Sequence, residues 1–217
     1  MRGRSSANTP SAPRSYRLKR LLDVTLSGIG LTLSSPIWLM IAAAIKLDDR
    51  GPVFHRQTRI GRGGQPFVVL KFRSMRVTGA SADRLTQARE SDPRITRVGR
   101  VLRATAADEL PQLVSIFVGD MSFVGPRALM PEEIETSSNG QAIPMTDIPG
   151  YDMRITVAPG LTGLAQVYAA RDIPRRSKFR YDKLYVSRQG FWLDVRLIAV
   201  SFWISARGAW ETRDRKF

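Results

Sequence analysis

Cysteine is absent from the 217 residues, which excludes disulfide frameworks, thiolate metal sites and thiol nucleophiles together. Histidine is almost absent. The single one, His55, lacks the partners that a hydrolytic dyad or an imidazole metal site requires, and it reads as structural. Acidic residues are few, 19 against 34 lysines and arginines, leaving a formal net charge of +15 and a sequence pI near 11.2. Such a surplus draws a chain toward nucleic acid, anionic lipid or a phosphorylated substrate. Recognition motifs and basic residues interleaved with exposed aromatics, the marks of nucleic-acid binders, are missing, so no nucleic-acid partner is expected. No signal peptide is expected in the chain's first residues. Residues 1–15 (MRGRSSANTPSAPRS) hold Ser, Pro and Arg with almost no apolar content and no small-residue cleavage site, and read as a disordered basic tail.

What the chain has instead is one long apolar stretch, Leu21 to Ile45, interrupted by Ser34, Ser35 and Pro36. Arg14, Arg17, Lys19 and Arg20 precede it, and Lys46, Arg50, Arg56, Arg59 and Arg62 follow it. The one-sided basic bias that orients a spanning helix is therefore lacking, and both ends are expected on the same side of a membrane. Residues 18–46 as one straight helix would measure about 43 Å, enough for a tilted span of a roughly 30 Å hydrocarbon core. Pro36, without an N–H and pushing Ser35 away from the α region, predicts a sharp bend, with the serine hydroxyls capping the freed carbonyls. The resulting arms of about 26 Å and 15 Å favour a re-entrant hairpin over a kinked span or a buried core helix. Asp23, inside the stretch, calls for Lys19 or Arg20 as its partner.

Beyond it, Pro52 to Phe54 and Pro66 to Phe72 predict strands of a hairpin around Gly61-Arg62-Gly63-Gly64, a turn without the features of a P-loop. A helix is predicted from Ser81 to Glu90. Near the end, Phe191 to Ile204 is apolar but about fourteen residues long and carries Asp194 and Arg196, too short to span. Trp192, Val195, Ala199 and Phe202 recur at helical spacing there, which suits an interfacial helix with aromatic anchors and equally a core helix.

Leu102 to Arg127 is the segment densest in chemistry. Asp108 and Glu109 are adjacent carboxylates, followed by Pro111 and the apolar run Leu113 to Val118, so the pair is expected at a helix N-terminus, where the dipole keeps a carboxylate ionised. Routine capping predicts the same residues. Arg103 lies before the pair, and Asp120 and Arg127 follow it. Guanidinium groups suit recognition of phosphate, and adjacent carboxylates suit magnesium shared with phosphate oxygens. A diphosphate bound between them would offer phosphorus to attack by an acidic side chain. A surface salt-bridge network would use the same residues.

The motifs KRLLD (Lys19 to Asp23), GPVF (Gly51 to Phe54), KFRSM (Lys71 to Met75), DPRITRVGRVLR (Asp92 to Arg103), DELPQL (Asp108 to Leu113), GDMSFVGPR (Gly119 to Arg127) and PGLTGLAQV (Pro159 to Val167) resemble, in order, the bacterial monotopic phosphoglycosyl transferases, also called bacterial sugar transferases. The resemblance runs from about Lys19 to Arg207. It implies a mixed α/β monotopic membrane protein with a re-entrant helix over 18–46 broken at Ser35 and Pro36, a catalytic core over 47–190, and an interfacial helix over 191–207, all within a single catalytic domain over 16–217. It further implies transfer of a sugar 1-phosphate from a UDP-sugar to polyprenyl (undecaprenyl) phosphate with release of UMP, on the cytoplasmic face of the bacterial inner membrane, initiating exopolysaccharide, O-antigen or glycoconjugate assembly. Asp108 becomes the nucleophile of a phosphosugar-enzyme intermediate and Glu109 its partner for magnesium or protons. Arg73, Arg103, Arg127 and Gln166 become substrate or phosphate contacts. Inner-membrane lipid is an implied partner, and a homo-oligomer is compatible with this reading.

Three departures bear on substrate choice, two of them adjacent: Ala128 stands where the family commonly has proline, and the segment 128–158 is longer than usual. Gln166-Val167-Tyr168-Ala169-Ala170-Arg171 also replaces the usual Gln-Val-Asn/Ser-Gly-Arg. A lipid-binding scaffold without catalysis, or a conventional glycosyltransferase releasing UDP, are the rival readings, separated by which nucleotide is released.

Overall fold

The computed structural model describes residues 14–76, 92–136, 140–170 and 173–207. The helix expected from Ser81 to Glu90, Arg171, and all but the last two residues of the expected N-terminal tail lie outside them.

Helix α1, Arg14–Asp49, is 36 residues long, about 54 Å. Its central portion has a mean hydropathy of 1.7 and is only 17% buried, long and apolar enough to cross a membrane. The helical assignment runs through Ser35 and Pro36, the positions of the expected break. Proline deletes one helical bond, the one to Thr32, and the Ser35 hydroxyl donates to that carbonyl at 2.8 Å. The lost backbone bond is thereby replaced within the helix. Ser34 instead accepts from the Trp38 indole at 3.0 Å.

Both ends of α1 dock on the rest of the chain. Near the start, Arg20 donates to the Ile116 and Phe117 carbonyls at 2.6 and 2.7 Å, and the buried Asp23 accepts from Ser122 and from the Phe123 N–H. Lys19, one of the two cations expected beside Asp23, acts on its carboxylate through space, while the groups that donate to it directly are neutral. Lys19 donates to the Val124 carbonyl, the Tyr185 hydroxyl and Asp194 at 2.8, 3.0 and 2.7 Å. At the far end, Asp48 accepts from the Val98 N–H at 3.1 Å, and Asp49 pairs with Arg73.

Strands β1, Phe54–Ile60, and β2, Pro66–Phe72, form the predicted antiparallel hairpin, Phe54 opposite Phe72 and Ile60 opposite Pro66. The first strand starts at Phe54 and not at Pro52, because Pro52 has no N–H for the ladder and its carbonyl receives Arg73. Alternation directs Val69 into a core with Leu113, Ile116 and Met121, while Phe72 packs with Ile41, Ile45 and Leu102. Trp38 meets Phe72 edge-on, ring centroids 5.4 Å apart.

Two further two-stranded sheets follow. Strand β3, Ser122–Val124, runs parallel to β6, Gly160–Thr162, and β4, Ile134–Thr136, is antiparallel to β5, Ala142–Pro144. The long segment 128–158 thus folds on itself, adds the short helix α4, Tyr151–Arg154, and packs Leu129, Met145 and Ile148 against Phe179. Helices α5, Leu164–Tyr168, α6, Arg175–Arg188, and α7, Phe191–Ala206, complete the body. Helix α7 has two unlike faces. Leu197 and Ile204 are buried with Tyr185, Val124 and Val167, whereas Trp192 and Phe202 stand 79% and 76% exposed on the opposite face.

Candidate active site

The acidic pair lies where three elements meet. Helix α2, Arg97–Thr105, starts at Thr96, whose hydroxyl accepts from the Gly99 N–H at 2.9 Å, a standard cap. Gly99 crosses directly against the strand end after β2: a Cβ there would stand 1.9 Å from the Ser74 carbonyl oxygen. Helix α2 therefore packs backbone to backbone on the KFRSM segment. It stops at Ala106, which adopts a left-handed conformation (φ 57°, ψ 19°) that costs an alanine energy.

The chain then makes a 3-10 turn, Ala107–Glu109, and enters α3, Gln112–Val118, after Pro111. The pair accordingly precedes α3 instead of occupying its first turn, because Pro111 marks the helix start and the left-handed Ala106 sets a separate turn ahead of it.

Lys71, on the inward face of β2, donates to the Glu109 carboxylate. The two side chains remain 18% and 20% exposed, so solvent and small molecules reach them. Burial opposes ionisation of Glu109, yet Lys71, Arg127 and Arg59 outweigh it and hold its carboxyl below the usual range. Asp108 moves the other way. Burial, reinforced by the Glu109 charge, raises its carboxyl despite Lys71 and Arg103. Neighbouring carboxylates are thus split into a permanently ionised member and a more basic one, the division that assigns separate tasks to paired acids.

Of the residues expected around the pair, Arg103 sits in the last turn of α2, close enough to act on Asp108, with Met75 sulfur 3.9 Å from its Nη1. Arg127 has an exposed side chain on a fixed backbone: its carbonyl accepts from Arg154 at 2.6 Å, and it bridges to Gly160. The turn ahead of it is equally constrained, since a Cβ on Gly160 would stand 2.0 Å from the Gly125 nitrogen. Gln166 donates to the Gly125 carbonyl at 3.4 Å and so braces this same turn. Arg73, the fourth of these residues, holds the end of α1. It is buried, with Nε on the Pro52 carbonyl and both terminal nitrogens on Asp49, because the end of α1 brings a carboxylate to it first. Asp120 lies exposed in the turn after α3.

Sequence reasoning passed over Lys71, Arg59, Arg154 and Arg175. The inward alternation of Phe67, Val69 and Lys71 signalled the first. The second is held by the Ala128 carbonyl and Gln57 at 3.0 and 2.5 Å. Arg154 meets Asp182 at 3.2 Å and stacks 4.5 Å from the Phe179 ring centre. Arg175 pairs with Glu133 at 2.5 Å.

Among the described residues no cluster of three or more metal-binding side chains occurs. Asp108 and Glu109 offer two carboxylates, which fits magnesium only as an ion that shares its shell with phosphate oxygens and water.

An acidic pair of divided basicity, ringed by cations beside an apolar helix, has the charge pattern to hold a phosphate-bearing group. The chain belongs to the bacterial sugar transferases: the family of that description matches residues 14–208. It is 41% identical over 185 residues to the UDP-glucose:undecaprenyl-phosphate glucose-1-phosphate transferase of Klebsiella pneumoniae, covering 83% of this chain and 38% of that protein. It is 40% identical to the protein of the same name from Caulobacter vibrioides, covering 83% and 66%. It is 39% identical to the exopolysaccharide production protein PSS of Rhizobium leguminosarum bv. phaseoli, covering 83% and 91%. The chain therefore spans well under two thirds of the Klebsiella protein and most of the Rhizobium one.

Proposed function

We propose that this chain transfers a sugar 1-phosphate from a UDP-sugar to a polyprenyl phosphate such as undecaprenyl phosphate, releasing UMP, in two steps through Asp108. A carboxylate oxygen of Asp108 attacks the sugar-bearing phosphorus of the donor. The bond from that phosphorus to the bridging oxygen breaks, and UMP leaves with that oxygen. A phosphate oxygen of the acceptor lipid then attacks the same phosphorus, the aspartyl–phosphorus bond breaks, and the Asp108 carboxylate is restored. The product is a polyprenyl diphosphate sugar.

The divided acidic pair carries this reading. Burial leaves the ionised form of Asp108 less stabilised and hence more nucleophilic. Glu109, ionised throughout, is fixed by Lys71. Arg103 and Arg127 offset the charge that develops on the phosphate oxygens. Magnesium held by Asp108 and Glu109 together with the diphosphate would supply further charge neutralisation.

The same reading places α1 in the cytoplasmic leaflet of the inner membrane, both ends on the cytoplasmic side. Docking of Arg20 on α3 and of Asp49 on Arg73 supports this, since a straight span would carry one of these polar contacts into or across the hydrocarbon. Exposed apolar side chains on α1 (Leu21, Leu33, Leu39), on α3 (Phe117, Val118) and on α7 (Trp192, Phe202) supply a lipid-facing surface. It would bring the acidic pair to headgroup depth.

Incubation with UDP-glucose and magnesium, without lipid, is expected to release UMP and leave a hexose phosphate on Asp108, detectable by intact and peptide mass spectrometry. A panel of other UDP-sugars extends the assay. Full turnover by Asp108→Asn, or release of UDP in place of UMP, would overturn the mechanism.

A further inference from the structure

The arginines on the Glu109 side of the site form a group larger than the family motifs mark. Arg59 projects from the inward face of β1 toward the segment that follows Arg127. Its Nη1 donates to the Ala128 carbonyl at 3.0 Å, and the next N–H, that of Ile60, donates to the Leu129 carbonyl at 2.8 Å. Strand β1 is thus zipped to the peptide that carries Arg127. Arg175, the first residue of α6, is brought to the same place by Glu133, which accepts from Arg175 at 2.5 Å and from the Met130 N–H at 3.1 Å. Two residues on, Glu135 accepts from the Arg176 N–H at 3.0 Å. The long segment after Arg127 therefore holds the start of α6 at two points.

Charge in this group does not balance. Arg59, Arg127 and Arg175 are near enough to repel one another, and among the described residues the carboxylates that act on them include Glu133, paired with Arg175, Glu135, shared with Arg176, and Glu109, shared with Lys71. Among the described residues the Arg127 guanidinium makes no hydrogen bond or ion pair. Burial together with the Arg127 charge lowers the Arg59 guanidinium to about 10. A network serving stability alone would be neutralised by its own acids. Lys71, Arg59, Arg127, Arg175 and Arg176 against Glu109, Glu133 and Glu135 leave room for about two negative charges, those of a nucleotide sugar's diphosphate.

We propose that Arg59 and Arg175 join Arg127 as the wall that binds the diphosphate of the nucleotide donor, with Glu133 holding Arg175 in place. This assignment rests on the reaction given above. The acceptor's phosphate shares the chemistry, but the donor is favoured because Arg59 and Arg127 act on Glu109, whereas Arg103 acts on Asp108 from a helix whose Val101 is among the exposed apolar residues. Two flanks of one acidic pair then receive two different phosphates.

The test uses the whole chain in detergent or nanodiscs, with UDP and magnesium as the binding probe, read by calorimetry. Arg59→Gln and Arg175→Gln are each expected to weaken UDP binding by roughly tenfold or more and to flatten its dependence on salt. Arg175→Lys should recover part of the loss. The KM for undecaprenyl phosphate should stay within about twofold. Glu133→Gln, which keeps every cation but loosens the hold on Arg175, should weaken UDP binding, and by less than Arg175→Gln does, an order that a general loss of folding would not produce. Unchanged UDP affinity in both glutamine variants, or an effect confined to the KM of the lipid, would overturn the assignment. Because UDP binding needs no turnover, loss of binding in the variants alongside no UMP release by the unaltered protein would sink the reaction and leave the wall standing.

Discussion

Replacing Lys19 by methionine removes the cation at the centre of the contact that joins α1 to the body. Its ammonium group donates to Val124, Tyr185 and Asp194 at 2.8, 3.0 and 2.7 Å, and the paired side chains are 15% and 2% exposed. Asp194 would keep only the Tyr185 hydroxyl, which donates to its other oxygen at 2.8 Å. Breaking a buried pair from one side costs about 3–5 kcal/mol, because the remaining charge is desolvated and uncompensated. At about 2–4 °C per kcal/mol for a chain of this size, Lys19→Met should lower the Tm by roughly 6–20 °C. The four tryptophans allow the melt to be followed by intrinsic fluorescence in detergent. The double variant Lys19→Met/Asp194→Leu should recover most of the loss, since an apolar pair of similar size replaces the ion pair without a stranded charge. A single variant melting within about 1 °C of the parent, or a double variant no more stable than the single, would refute the reasoning.

The absence of native thiols makes topology directly measurable. Tyr16→Cys and Leu47→Cys place one thiol at each exposed end of α1, and an impermeant maleimide should label both in inside-out vesicles and neither in right-side-out ones; opposite labelling of the two would establish a span. Burial of Asp108 raises its carboxyl in the folded protein, so at neutral pH its ionisation opposes folding. Asp108→Asn should therefore melt higher than the parent at pH 7.5, with the difference shrinking on acidification as the carboxyl becomes protonated in both states; a lower Tm at pH 7.5 would contradict the shift. In the parent, the donor half-reaction should decline on acidification at a higher pH than an ordinary aspartate with a pKa of about 3.9 would allow, and Lys71→Met should move residual activity to higher pH still, because Lys71 favours the ionised form of Asp108. Stopped-flow UMP release across pH checks both.

Much of the local structure was legible along the chain. The hairpin around Gly61 to Gly64 follows from extended, β-prone runs on either side of a glycine turn, and the exposed aromatic stripe of α7 follows from its spacing. Proline at position 36 marks the helical bond that is lost, and only the structure shows Ser35 donating to the carbonyl so released. Arg73 poses a different problem. A basic residue beside a site looks the same whether it faces a ligand or a carboxylate from a distant helix, and Asp49 lies 24 positions away. The arginine wall could not be read in advance either, since Arg59, Arg127 and Arg175 lie on three separate elements.

From residue order alone came the apolar helix, the excess of positive charge and the adjacency of Asp108 and Glu109, since hydropathy, charge and neighbourhood are properties of the linear chain. Division of the two acids into unlike partners came only with folding. Lys71 and Arg127 gather on Glu109 while burial acts on Asp108, and the field at a carboxylate depends on distances through space that no spacing along the sequence encodes.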